Sequence, residues 1–68
     1  MEYIRTKDNV WHNCDDEMPT TTTDVYFMDK EGNIHEGKMV VDLAGFYVYL
    51  GEVKGWGSFD DMVKWKFR

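Results

Sequence analysis

Apolar and polar residues alternate along much of this chain. In Phe46-Tyr47-Val48-Tyr49-Leu50, an extended backbone puts Phe46, Val48 and Leu50 on one side and Tyr47 and Tyr49 on the other, the pattern of a strand with one face in a core. Val63-Lys64-Trp65-Lys66-Phe67-Arg68 repeats the logic, with Val63, Trp65 and Phe67 expected inward and Lys64, Lys66 and Arg68 outward. Val25-Tyr26-Phe27-Met28 is a shorter run of strand formers, and Ile34 to Val41 is a longer one interrupted by His35, Glu36, Gly37 and Lys38. A glycine in mid-strand at position 37 marks a bulge or a close approach of another backbone.

The turns fix the order. Asp29-Lys30-Glu31-Gly32 and Asp42-Leu43-Ala44-Gly45 share the form Asp-x-x-Gly, in which the aspartate caps its own turn and the glycine takes a positive φ. Each closes a hairpin, so strands at about 24–29, 34–41 and 46–50 are predicted to form an antiparallel meander. Three glycines around Trp56 make the segment from Gly51 to Gly57 an irregular connection, neither helix nor strand, that lets Trp56 fold back onto the sheet. Ser58-Phe59-Asp60-Asp61 reads as one helical turn with Ser58 as its cap, and Asp15-Asp16-Glu17-Met18 before Pro19 as a similar short turn. Tyr3 to Lys7 is either an edge strand or a frayed end. The expected architecture is mainly β: a small antiparallel meander, curled or closing toward a partly open barrel, with one or two single-turn helices.

Composition narrows the partners. The 68 residues make a single domain, and 43% hydrophobic with 16% aromatic content is enough to fold it. Thirteen acidic against 8 basic residues give a net charge of −5, which repels phosphate backbones and anionic lipid, so nucleic acid and membrane are not the expected partners. The lone Cys14 has no internal disulfide partner, and the first residues show no basic region leading into an apolar stretch, so the expected compartment is the cytoplasm. A core this small gains from a partner subunit, which keeps self-association open.

Candidate chemistry is sparse. His12, Cys14 and His35 are the weak metal candidates, short of the four paired ligands that a zinc site wants. Cys14 and Ser58 are the only nucleophiles worth weighing, and neither sits in a nucleophile elbow, so no catalytic residue and no cofactor are expected. The acid pairs Asp15/Asp16 and Asp60/Asp61 read as solvated or capping turn residues. Lys64, Lys66 and Arg68 with Tyr47 and Tyr49 form a basic-aromatic pattern of the kind used for single strands, but three charges are few. A solvated face, or cross-strand pairing with acids such as Glu36, is the expected reading. More informative are Tyr47 and Tyr49 themselves, on the side of their strand opposite Phe46, Val48 and Leu50 and placed beside Tyr26 or Met28. That patch is either covered by the N-terminal segment or open to a partner.

Trp11-His12-Asn13-Cys14-Asp15-Asp16-Glu17-Met18-Pro19 has the form Trp-x-x-(small apolar)-x-acid-x-(Leu/Met)-Pro and resembles the opening motif of the family called domain of unknown function 551. The chain then offers Val25, the Asp29 to Gly32 turn, Gly37 and Asp61-Met62-Val63-Lys64-Trp65, against a family ending of Val-x-x-Trp followed by prolines. Here Val63 and Trp65 are two apart and no proline follows. The resemblance implies a short phage- or prophage-encoded protein without assigned activity, in which Trp11, Met18, Pro19 and Trp65 are structural landmarks. The expected role is a non-catalytic interaction or accessory module acting through Tyr47, Tyr49 and Tyr26 on an unknown protein partner or on a second copy. Alternatives are an acidic inhibitor of a nucleic-acid-binding protein and a small-ligand or metal-binding domain.

Overall fold

The computed structural model describes residues 1–68. Its strands are β1 (Glu2–Ile4), β2 (His12–Asn13), β3 (Glu17–Pro19), β4 (Thr23–Asp29), β5 (Ile34–Asp42), β6 (Gly45–Tyr49), β7 (Trp56–Gly57) and β8 (Met62–Phe67). One helical turn, α1 (Gly51–Lys54), lies between β6 and β7, and a 3₁₀ turn, Phe59–Asp61, precedes β8.

Both Asp-x-x-Gly segments close hairpins as their side chains dictate. Asp29 Oδ1 accepts from the backbone N–H groups of Glu31 and Asn33, each at 2.9 Å, and Gly32 sits at φ +85°. Asp42 Oδ1 accepts from Ala44 at 2.8 Å and Gly45 at 3.1 Å. The aspartates satisfy amides that the turns leave unpaired, and the hairpins stack β4, β5 and β6 into the expected meander. Around it grows a six-stranded antiparallel sheet in the order β2-β8-β4-β5-β6-β7, which stays open because β2 and β7 do not meet. β1 and β3 form a separate parallel pair.

One face of the large sheet carries the core. Val25 and Phe27 of β4, Met39 of β5, Val48 of β6 and Trp65 of β8 are fully buried there, with Phe27 opposite Trp65 and Met39 opposite Val48. The β1–β3 pair closes over this inner face through Met18, Pro19 and Ile4, and Trp65 Nε1 donates to the Glu17 carbonyl at 2.7 Å. A buried indole N–H needs such a partner, and this one fastens β3 to β8.

Four expectations change. The inward residue at the start of β8 is Met62, whereas Val63 is exposed, because the β4–β8 register slips between Met28 and Asp29 and leaves Val63 as the extra residue of a bulge. The segment from Gly51 to Gly57 is ordered after all. Gly51 at φ +94° opens α1 and Gly55 at φ +68° follows its end, positive angles that only a residue without a Cβ adopts freely, and Trp56 and Gly57 then pair with β6 as β7. Ser58 precedes a helical turn, but its hydroxyl makes no capping bond. The turn near Asp15 is complete by Asp16, whose N–H bonds the Asn13 carbonyl, so Met18 and Pro19 belong to β3.

Gly37 resolves to a close approach rather than a bulge. It pairs with Val25 in regular register, and a methyl group there would strike the Tyr49 carbonyl oxygen. Residues 2–4 are a strand, at the edge of the smaller sheet.

Candidate functional site

Alternation that buries Phe27, Met39 and Val48 sends their neighbours to the opposite, outer face of the same sheet. Tyr47 and Tyr49 on β6 lie there beside Trp56 on β7, which pairs directly with Tyr49. The Trp56 ring meets Tyr49 at 5.0 Å between centroids and Tyr47 at 6.3 Å, both in edge-to-face geometry. Trp56 is nonetheless 65% exposed and Tyr47 39%. With Val40, opposite Tyr47 on β5, and Asp42 they line a shallow depression of about 300 Å³.

The N-terminal segment covers the inner face, so nothing in the chain lies over this aromatic cluster. Tyr26 is not part of it. β5 runs between β4 and β6, and Tyr26 instead sits opposite Glu36 and Lys66, with the Arg68 guanidinium 5.9 Å above its ring. The basic ladder is partly paired, as its spacing suggests: Arg68 approaches Asp24 at 3.5 Å and Glu36 at 3.8 Å, Lys38 approaches Asp24 at 3.9 Å, and the Lys66 ammonium lies 5.7 Å from the centre of the Trp11 ring. Four of the 8 basic residues (Lys38, Lys64, Lys66, Arg68) stand on or beside this face, against three of the 13 acidic ones (Asp24, Glu36, Asp42), giving a local +1 against −6 for the rest of the chain. At physiological salt, charges separated by more than about 8 Å are largely screened, so an approaching partner meets this local balance rather than the net −5.

The metal candidates do not converge. His12, Trp65, Phe27 and His35 form one row across β2, β8, β4 and β5, and three strand spacings place the two histidines about 14 Å apart. Each histidine is already engaged. His12, 4% exposed and stacked 4.7 Å from Trp65, bonds Glu17 through Nδ1 and Asp8 through Nε2, both at 2.8 Å. Burial alone would lower its pKa, but the bonds to Glu17 and Asp8 and their charges outweigh that and raise it above 6.5. The same bond holds the Asp8 carboxyl below its usual value. His35 Nε2 bonds Asp29 at 2.8 Å, and this bond, with the Asn33 and Glu31 amides, pulls the Asp29 carboxyl down to about 2 against the opposing effect of burial. Cys14 is buried, and desolvation, aided by the Asp15 charge, pushes its thiol up to about 12, leaving it a small apolar residue without thiolate reactivity. No three His, Cys, Asp or Glu side chains come together as a metal site. Ser58 and His35 line one depression of about 420 Å³ without a hydrogen bond between them.

Asp8, Glu17 and Trp56 were not singled out from sequence as partners in a cluster. Asp8 and Glu17 stand four residues before and five after His12 in extended and turning chain, a spacing with no period to betray it. Trp56 had a signal in the glycines around it. No protein-family model, curated protein or solved structure matches the chain.

Proposed function

We propose that this protein is a non-catalytic interaction module that engages a protein partner through the outer face of its sheet, with Trp56, Tyr47 and Tyr49 as the anchor. The observation that carries the reading is the uncovered aromatic cluster on a strand-built, rigid platform. Trp and Tyr dominate the energetics of protein contacts, and a cluster already packed edge to face loses little rotamer freedom on binding. Lys64 and Lys66, which make no ion pair, stand across the face from the cluster and suit a partner with an apolar projection flanked by acidic residues. The resemblance of Trp11 to Pro19 to the opening of domain of unknown function 551 supports a phage or mobile-element origin, and the absence of any disulfide supports action in the cytoplasm. No helix is long and apolar enough to cross a membrane.

The test is reconstitution. A partner captured from host lysate is purified, and its affinity is measured for the wild type, for Tyr47→Ala/Trp56→Ala and for Asp15→Asn/Asp16→Asn on the acidic side. The aromatic pair should weaken binding at least about tenfold and the acidic pair far less. Equal affinity for wild type and the aromatic variant, with the fold intact, overturns the reading.

A further inference from the structure

His12 occupies a position that a neutral imidazole cannot fill. A neutral ring carries one N–H, whereas both His12 nitrogens face carboxylate oxygens at 2.8 Å, and ionised carboxylates only accept. The arrangement therefore calls for an imidazolium, buried against Trp65 and Phe67, with Asp8 and Glu17 as its counter-charges. We propose that Asp8–His12–Glu17 is a pH-operated latch, which holds the loop of residues 5–11 against the domain in acid to neutral solution and releases it in alkaline solution.

The surroundings decide which side gives way. Glu17 is fixed in β3, whose backbone pairs with β1 and whose carbonyl takes the Trp65 N–H. Asp8 lies on the loop, with its side chain 38% exposed and water at hand to replace His12. The loop's other side-chain ties to the body of the domain are a 3.5 Å contact from the Lys7 ammonium to the Arg68 carbonyl and the Trp11 ring, 5.7 Å from the Lys66 ammonium. Among charged groups near the ring, Glu2 is the register partner of Glu17 on β1, Cys14 follows two residues along the chain with its thiol protonated, and Lys64 and Lys66 flank Trp65 on the opposite face of β8. When His12 loses its proton, one nitrogen turns a lone pair toward a carboxylate, and Asp8 departs while Glu17 keeps the remaining N–H. Release uncovers the His12–Trp65–Phe67 stack.

Linkage gives the sign and the slope. A proton held more tightly in the latched form stabilises it fully below the ordinary imidazole value of about 6.5. Above that, the opening equilibrium grows about tenfold per pH unit until the latched-state value is passed, and then levels off. On the acid side the Asp8 carboxyl, held below its ordinary value by the His12 hydrogen bond, keeps its charge and the latch stays closed until that carboxyl takes a proton.

The experiment follows the whole chain between pH 5.5 and 9, by NMR titration of the His12 ring and by amide-exchange protection factors corrected for intrinsic rates. The expected result is a His12 midpoint above 6.5, loop 5–11 amides that lose about tenfold protection per pH unit between 6.5 and that midpoint and then level off, and β5–β6 amides that do not change. In Asp8→Asn the side-chain amide can donate to the ring lone pair, so the loop should lose its pH slope and the His12 midpoint should fall, with unchanged β5–β6 protection reporting an intact fold. A wild-type midpoint at or below 6.5, loop protection independent of pH, or an undiminished slope in Asp8→Asn overturns the latch.

Discussion

Trp65 and Trp56 stand on opposite faces of one sheet and show how differently the same side chain can be used. Trp65 is completely buried, packs on Phe67 and His12, and spends its N–H on the Glu17 carbonyl. Trp56 sits in a two-residue edge strand, meets two tyrosines edge to face, and leaves most of its surface in water. The inner face is spent on holding the domain together, while the outer face has aromatic area to spare. A domain of 68 residues has little stability in reserve, so large apolar area left uncovered calls for a use elsewhere.

This contrast breaks most visibly at Trp65. Trp65→Ala removes the largest core side chain and orphans the Glu17 carbonyl, a change that costs about 3–5 kcal/mol, as much as a core of this size supplies. The variant should be unfolded at 25 °C by far-UV circular dichroism, and a cooperative urea transition near that of the wild type would refute the assignment of Trp65 as the centre of the core. A smaller loss is expected at Gly37→Ala. Its new methyl group collides with the Tyr49 carbonyl and crowds Leu50 and Phe27, at a cost of about 1–3 kcal/mol in urea unfolding, with loss of amide protection concentrated in β5 and β6.

Asp29 tests the hairpin beneath the outer face. Its carboxyl titrates at about 2 in the folded chain against 3.8 normally, so its contribution is complete above pH 4 and vanishes as the pH falls toward 2. Wild-type Tm should therefore drop over that range more steeply than that of Asp29→Asn. Parallel curves for the two proteins would show that the His35 and turn contacts do not hold the charge. Trp56→Ala closes the series, with a stability change within about 0.5 kcal/mol despite the size of the side chain deleted. A loss near that of Trp65→Ala would mean that the two faces are not divided as described.

Where side chains act on their own neighbourhood, the sequence was readable. Asp29 and Asp42 cap turns made from the next few residues, so the β4–β5–β6 meander and the inward position of Val48 followed from local chemistry. Trp56 folding back onto the sheet was legible for the same reason, since glycines on both sides free its backbone. What escaped depends on residues distant in the chain. Val63 faces outward because β8 pairs with β4 through a bulge, and nothing within 63–68 encodes the register of a strand as distant in the chain as β4. The separation of Tyr26 from Tyr47 and Tyr49 follows from strand order, which places β5 between them. The latch escaped because a buried histidine and a solvated one look alike until their carboxylates are brought to them by the fold.

The position of β8 has a consequence for how the protein is made. The strand spanning Met62–Phe67 is the last of the eight in sequence order, yet it lies between β2 and β4 and supplies Trp65 to the centre of the core. While residues 1–61 are being synthesised, the β4–β5–β6 hairpins can form, but Val25 and Phe27 face water and the open edge of β4 has no neighbour. Pairing across so much intervening chain is slow to nucleate, and exposed strand edges invite association in the meantime. A ribosome must therefore release β8 as well as β4–β6 before the domain closes, and a nascent chain stalled short of Met62 is a natural client for a chaperone.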